Sequence, residues 1–161
     1  MEPAEYDRIA GKYLDSVYRA TLTYCKNKEN AKDAVQNAFM KLFVTDTEFT
    51  DDEHIKRWLI RAAVNECKNV FMSFRYKKII SIDDIEKEPS YTDKIDEGSE
   101  LFTVISKLPQ NYSTIIYLYY YEGMSIKQTA EVLGISESNA QNRLMRARKK
   151  LEGMLNKEAW L

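Results

Sequence analysis

The chain has 161 residues, 44% of them hydrophobic, which is enough for one domain or two small ones with packed cores. Its 24 Lys and Arg stand against 25 Asp and Glu, so the formal net charge of -1 gives no argument for a nucleic-acid partner; any such surface must come from how the charges are distributed. Five Gly and three Pro are too few to punctuate a many-stranded protein, and the long stretches rich in Ala, Leu, Lys, Glu and Tyr predict an all-α fold.

The first residues, Met1 to Tyr13, are charged and lack an apolar secretory core, and no run approaches the ~18 apolar residues of a membrane span, so a cytoplasmic location without membrane insertion is expected. Ile9, Tyr13, Val17, Ala20 and Tyr24 draw one apolar stripe on a first helix that ends near Asn27. Asn30 is a candidate cap for a second helix, whose inward face is Ala31, Ala34, Val35, Ala38 and Leu42, with Phe39 and Phe43 at the edge of the stripe. Thr45 to Glu53 reads as a polar loop holding five acids around Phe49, the last acids suiting the positive end of a following helix. That third helix is long. Its apolar stripe is Ile55, Trp58, Leu59, Ala62, Ala63, Val70, Phe71 and Phe74, and seven bases lie between His54 and Lys78 against one acid, Glu66.

Composition then inverts. Ile79 to Glu100 holds eight acids and two bases, with Pro89 and Gly98 as breakers, and is expected to be an acidic linker between two small helical domains, residues 1–78 and 101–161. The second domain opens with Leu101, Phe102, Val104, Ile105 and Leu108, stops at Pro109, and resumes as a tyrosine-rich helix from Tyr112 to Tyr121 that Gly123 terminates. Ser125 and Gln128 form a capping box for a short helix carrying Ile126, Ala130 and Leu133, which Gly134 ends. Ser136 caps the last helix, with Ile135 and Ala140 spaced as a hydrophobic staple.

Helix, glycine-containing turn, helix is a helix-turn-helix. On its second helix Ala140, Leu144, Ala147 and Leu151 face one way, and the segment Asn139 to Lys150 carries five bases and no acid. Such a helix fits the DNA major groove, where Asn and Gln read adenine edges and Arg reads guanine. Asn139, Gln141, Asn142 and Arg143 are the candidate base readers, Arg146, Arg148, Lys149 and Lys150 the candidate phosphate contacts, and Ser138 a further candidate DNA contact. On the third helix Trp58, Phe71, Phe74 and Tyr76 lie beside the bases, the combination that single-stranded nucleic acid uses for stacking and neutralisation. A solvated basic face is the bland alternative for both helices, and a core role is the alternative for Trp58. Cys25 and Cys67 have no metal-ligand or redox spacing and are expected to be buried, reduced thiols. No catalytic constellation, cofactor cradle or calcium-loop pattern emerges, so neither enzyme activity nor a bound cofactor or metal is expected.

Three segments resemble one family. Asn30-Ala31-Lys32-Asp33-Ala34-Val35-Gln36-Asn37-Ala38-Phe39-Met40-Lys41-Leu42-Phe43 is similar to the sigma-factor segment D/N-A-E-D-x-x-Q-x-x-F-x-x-x-W/F. Ile55 to Asn65, containing Trp58, Leu59, Ala63 and Asn65, is similar to F-x-x-W-L-x-x-I-A-x-N. Leu108-Pro109 through Tyr121-Glu122-Gly123-Met124-Ser125, with Ala130 to Ser136 and Arg143 to Leu151, resembles the family's C-terminal domain. The spacing resembles that of the extracytoplasmic-function sigma factors, which combine a promoter-melting domain and an upstream-element domain joined by a linker.

The resemblance implies several partners. Core RNA polymerase would be engaged through its clamp helices by Asp33, Gln36 and Phe39, and through its flap. Promoter DNA would be met both as duplex and as single strand, with the loop Thr45 to Glu53 capturing a flipped base. Phe49, Lys56, Arg57, Arg61, Asn65, Lys68 and Asn69 would serve the minus-ten element, and the last helix the minus-thirty-five element. An anti-sigma factor is a further implied partner. Asn69, Ala140 and Gln141 depart from the family's usual residues, which bears on promoter preference. A stand-alone helix-turn-helix regulator and a protein-binding helical adaptor are the competing readings.

Overall fold

The computed structural model describes residues 1–78 and 100–159; residues 79–99, where the acidic linker is expected, lie outside the described residues. The chain divides into two compact units, Met1–Lys94 and Ile95–Leu161, and the described residues are helical with no strand among them.

The first unit contains α1 (Pro3–Cys25), α2 (Lys28–Val44) and α3 (Asp52–Lys78). Each helix turns one apolar stripe inward, and the three stripes meet. Ile9, Val17, Ala20 and Leu22 of α1, Ala31, Ala34, Ala38 and Leu42 of α2, and Ile55, Leu59, Ile60, Ala63 and Val64 of α3 are all buried. At about 1.5–3 kcal/mol per buried Ile, Leu or Val side chain, this shared core is what holds three otherwise marginal helices together.

The joints are set locally. Pro3 stands at the start of α1, where its missing N–H costs nothing. The α1 C-terminus closes on Lys26 in the left-handed region (φ 57°), its N–H bonded to the Leu22 carbonyl. Burial pushes the Lys26 ammonium down to about 8. The side chain of Asn27, one turn earlier than the expected cap, accepts from the Asn30 N–H, so Asn30 is already helical. At α3 the Asp51 carboxylate accepts from the His54 N–H at 2.8 Å and caps the helix.

Cys25 and Cys67 are buried as expected but not reduced: α1 and α3 bring them together, and they are joined in a disulfide. Spacing along one chain could not show this, since the two residues are 42 apart and meet only through tertiary packing.

The second unit contains α4 (Glu100–Ser106), α5 (Gln110–Ile116) continuing into a π-helical turn (Tyr117–Tyr121), α6 (Ile126–Leu133) and α7 (Glu137–Ala159). Phe102, Ile105, Leu108, Ile115, Ile116, Tyr117 and Leu118 form its core with Leu133, Ala140, Leu144 and Ala147. Phe102 meets Tyr117 edge-on, and Tyr117 stacks on Tyr121. The capping box is present in full: Ser125 Oγ accepts from the Gln128 N–H, and Gln128 Oε1 from the Ser125 N–H. Gly134 ends α6 at φ 69°, a conformation that costs other residues about 1 kcal/mol or more. Two residues further, Ser136 Oγ accepts from the Asn139 N–H and starts α7.

Candidate nucleic-acid and polymerase interfaces

On α3, Arg57, Arg61, Asn65 and Asn69 follow one another at steps of four, a single row on one side of the helix, with Lys68 beside it. Arg61, Asn65 and Asn69 are exposed, and Arg57 and Lys68 are half-buried. The Lys68 ammonium lies 5.9 Å from the Tyr24 ring centroid. Lys56 departs from the expectation of a DNA contact. One position from Arg57 is a 100° rotation, which turns it away from that row, and it is only 7% exposed. Its ammonium pairs with Glu53 at 2.9 Å and lies 5.7 Å from the Tyr13 ring, so it closes the α1–α3 joint. Phe71, Phe74 and Tyr76, the expected stacking aromatics, lie outside the residues whose side chains are described, and so does Val70 of the expected stripe.

The loop before α3 is built by its own side chains. Thr47 N–H donates to Thr45 Oγ1, and Thr50 N–H to His54 Nδ1. Phe49 sits edge-on to both His54 and Trp58, with centroids 5.2 and 5.7 Å away. Trp58 is half-buried, less enclosed than its place in the apolar stripe suggests. Beside Phe49 lies an open cavity of about 420 Å³ lined by Glu5, Thr45, Thr47, Asp51 and Asp52 among others. Its floor is fixed by Asp52, whose carboxylate takes two hydrogen bonds from Arg8 (2.7 and 3.1 Å) and one from Lys12 (3.1 Å). These cations hold the Asp52 carboxyl at about 2, below its ordinary 3.8. The arrangement clamps the start of α3, and with it the loop, to α1.

On α2, Asp33 and Gln36 are exposed on a face shared with Met40, Phe43 and Val44. Phe39 is not an exposed docking aromatic. It is 4% exposed, turned to the inner side of α2 with its ring edge-on to Tyr6 at 6.2 Å. Phe43, four residues on and 44% exposed, is the outward aromatic of this surface. Spacing alone does not separate the two, since Phe39 lies three residues after Gln36 and four before Phe43 at the edge of this face; it is the packing on α1 at Tyr6 that encloses it.

In the second unit α7 buries Ala140, Leu144 and Ala147 and presents Ser138, Asn139, Gln141, Asn142, Arg146 and Lys149 to solvent, with Arg143 half-buried beside them. Arg148, also exposed, packs on tyrosines of the π-helical turn. Its guanidinium donates to the Tyr120 hydroxyl and lies 5.5 and 5.4 Å from the Tyr119 and Tyr120 rings, bracing α7 against the π-helical turn. Lys150 lies 6.0 Å from the Tyr112 ring.

A capped helix-turn-helix with a polar, basic outer face in one unit, and a three-helix unit with a basic row beside a preformed loop in the other, define a helical transcription initiation subunit of the sigma-70 class. The family models agree: sigma-70 region 2 matches residues 9–75 and sigma-70 region 4 matches residues 99–151. The ECF RNA polymerase sigma factor SigM of Bacillus subtilis (strain 168) is 30% identical, the alignment covering 94% of this chain and 95% of that one. RNA polymerase sigma factor SigV of the same organism is 32% identical, covering 88% and 85%. Among solved structures, the sigma factor RpoE in complex with the anti-sigma factor NepR from Bartonella quintana shares the fold at a TM-score of 0.71 and 18% identity, covering 94% and 97% of the two chains. CnrH in complex with the cytosolic domain of CnrY does so at 0.63 and 20%, covering 97% and 90%. The chain belongs to the ECF sigma factors of RNA polymerase, and its function is promoter-specific transcription initiation. No helix among the described residues is long and apolar enough to cross a membrane.

Proposed function

We propose that the two units divide the promoter between them. The outward face of α2, with Asp33, Gln36, Met40 and Phe43, docks on the clamp helices of core polymerase, and the second unit docks on its flap. The row Arg57, Arg61, Asn65 and Asn69, with Lys68 and the Phe49 loop, receives the minus-ten element as the duplex opens. Arg57, Arg61 and Lys68 neutralise phosphates of the unpaired strand, while Phe49, edge-on to Trp58, offers aromatic surface at the loop cavity. Flipping a base costs a few kcal/mol, and stacking returns about 1–3 kcal/mol per base, so melting needs binding energy and no bond chemistry. On α7, Asn139, Gln141, Asn142 and Arg143 read the minus-thirty-five element in the major groove, with Ser138, Arg146 and Lys149 on the backbone.

The single observation that carries this reading is the row of Arg57, Arg61, Asn65 and Asn69 on α3, immediately beside a preformed loop. A net charge of -1 leaves the free chain a weak DNA binder that acts within the polymerase complex, in the cytoplasm. An anti-sigma factor that covers these faces is the expected regulator; the similar sigma factor RpoE is in complex with the anti-sigma factor NepR. Permanganate footprinting of polymerase complexes tests the division. Arg61→Ala with Asn65→Ala abolishes minus-ten opening while polymerase binding persists, and Arg143→Ala with Arg146→Ala weakens promoter capture. Normal opening by the first pair would overturn the assignment of α3.

A further inference from the structure

Cys25 and Cys67 are the chain's two cysteines, buried to 1% and 2% exposure, with Cα atoms 6.0 Å apart. Their bond ties the last residue of α1 to the middle of α3 and closes a loop that contains all of α2 and the Phe49 loop. We propose that this pair is a reversible thiol–disulfide site that locks α1 to α3 and so sets how long the first unit resists unfolding. The inference rests on the fold of that unit and not on the promoter contacts assigned above.

The oxidant is a small hydroperoxide, which reaches the pair when the end of α1 opens, and the same opening admits the dithiol reductant. One thiolate attacks the O–O bond and becomes a sulfenic acid, releasing water when the peroxide is hydrogen peroxide. The second thiol displaces the sulfenic oxygen as a second water and closes the S–S bond. Two thiols thereby lose two electrons and two protons, and a dithiol reductant returns both. Cys25 is the point of entry. It ends a helix, followed only by the left-handed Lys26 and by Asn27 before α2 begins, and helix ends open far more readily than the middle of α3.

The helices need not move between the two states. A Cα separation of 6.0 Å lies within the ordinary disulfide range, and two buried thiols pack at the same place. What changes is the unfolded chain, which loses the freedom of the closed loop. Cys67 faces the core, roughly 120–160° around α3 from Arg61 and Asn65 at 100° per residue, so oxidation alters persistence and leaves those two exposed residues of the row as they are.

The test uses the full chain, reduced under argon, then treated with hydrogen peroxide and followed by intact mass and native-state proteolysis. The expected result is a loss of two hydrogens and about tenfold or more slower cleavage within α1 to α3, both reversed by a dithiol reductant and absent in Cys25→Ala. Unchanged mass, oxygen gain at methionine without thiol loss, or equal cleavage of the oxidised and reduced forms would each overturn the proposal. Reversal in the wild-type chain decides the matter if Cys25→Ala does not fold.

Discussion

Replacing Phe39 by alanine removes a ring that is 4% exposed and packed edge-on against Tyr6. Truncating a buried Phe to Ala costs about 3–5 kcal/mol, transfer and cavity together. A helical unit of about 80 residues has roughly 4–12 kcal/mol of stability in total, so this one change removes a large share of it. At about 4–8 °C per kcal/mol the melt of the first unit falls by about 12 °C or more. Phe43, at 44% exposed, loses about 1 kcal/mol on the same truncation, because much of its ring is already in water. The assay pairs far-UV circular dichroism melts with binding to core polymerase for both variants. Phe39→Ala melts about 12 °C or more early, whereas Phe43→Ala melts only about 4–8 °C early and binds polymerase more weakly. A Phe39→Ala chain that melts with the wild type while losing polymerase binding would refute the placement of that ring in the core.

Other consequences are equally open to measurement. The Asp52 carboxylate is held at about 2 against an ordinary 3.8 by Arg8 and Lys12, so its stabilisation is complete above about pH 4 and is lost as pH falls from there toward 2. Asp52→Asn lowers the melting temperature at neutral pH and flattens its dependence on pH across that window; an unchanged slope in low-salt melts would contradict the clamp. Gly134→Ala has open space for its new methyl but inherits φ 69°, so unfolding of the second unit should become easier by about 1 kcal/mol, and Gly134→Val by more. No change in a denaturant titration would show that the α6–α7 turn relaxes to another conformation.

The helix-turn-helix was legible in the sequence because its signals are local. Ser125 with Gln128, Gly134 and Ser136 act within a turn of where they stand, and the structure puts each to the expected use. The three-helix unit was legible for a related reason, since apolar spacing dictates which stripe is buried. What escaped depends on direction or on distant partners. Lys56 has the right residue type for a binding face but lies off its angular row, while Phe39 lies at the edge of its face and is buried by packing against Tyr6 of α1. Arg148 was assigned by charge, whereas the tyrosines that take its guanidinium stand 28 and 29 residues earlier. The Cys25–Cys67 pairing, the Asp52 clamp and the loop cavity all arise where α1 meets α3, which no local pattern encodes.

Run-off transcription on pooled genomic fragments, with core RNA polymerase in the presence and absence of this chain and sequencing of the transcript starts, tests the central claim most directly. Starts that appear only with the chain and share two spaced upstream motifs are the predicted result; no new starts, with the chain alone shifting duplex DNA, would contradict it.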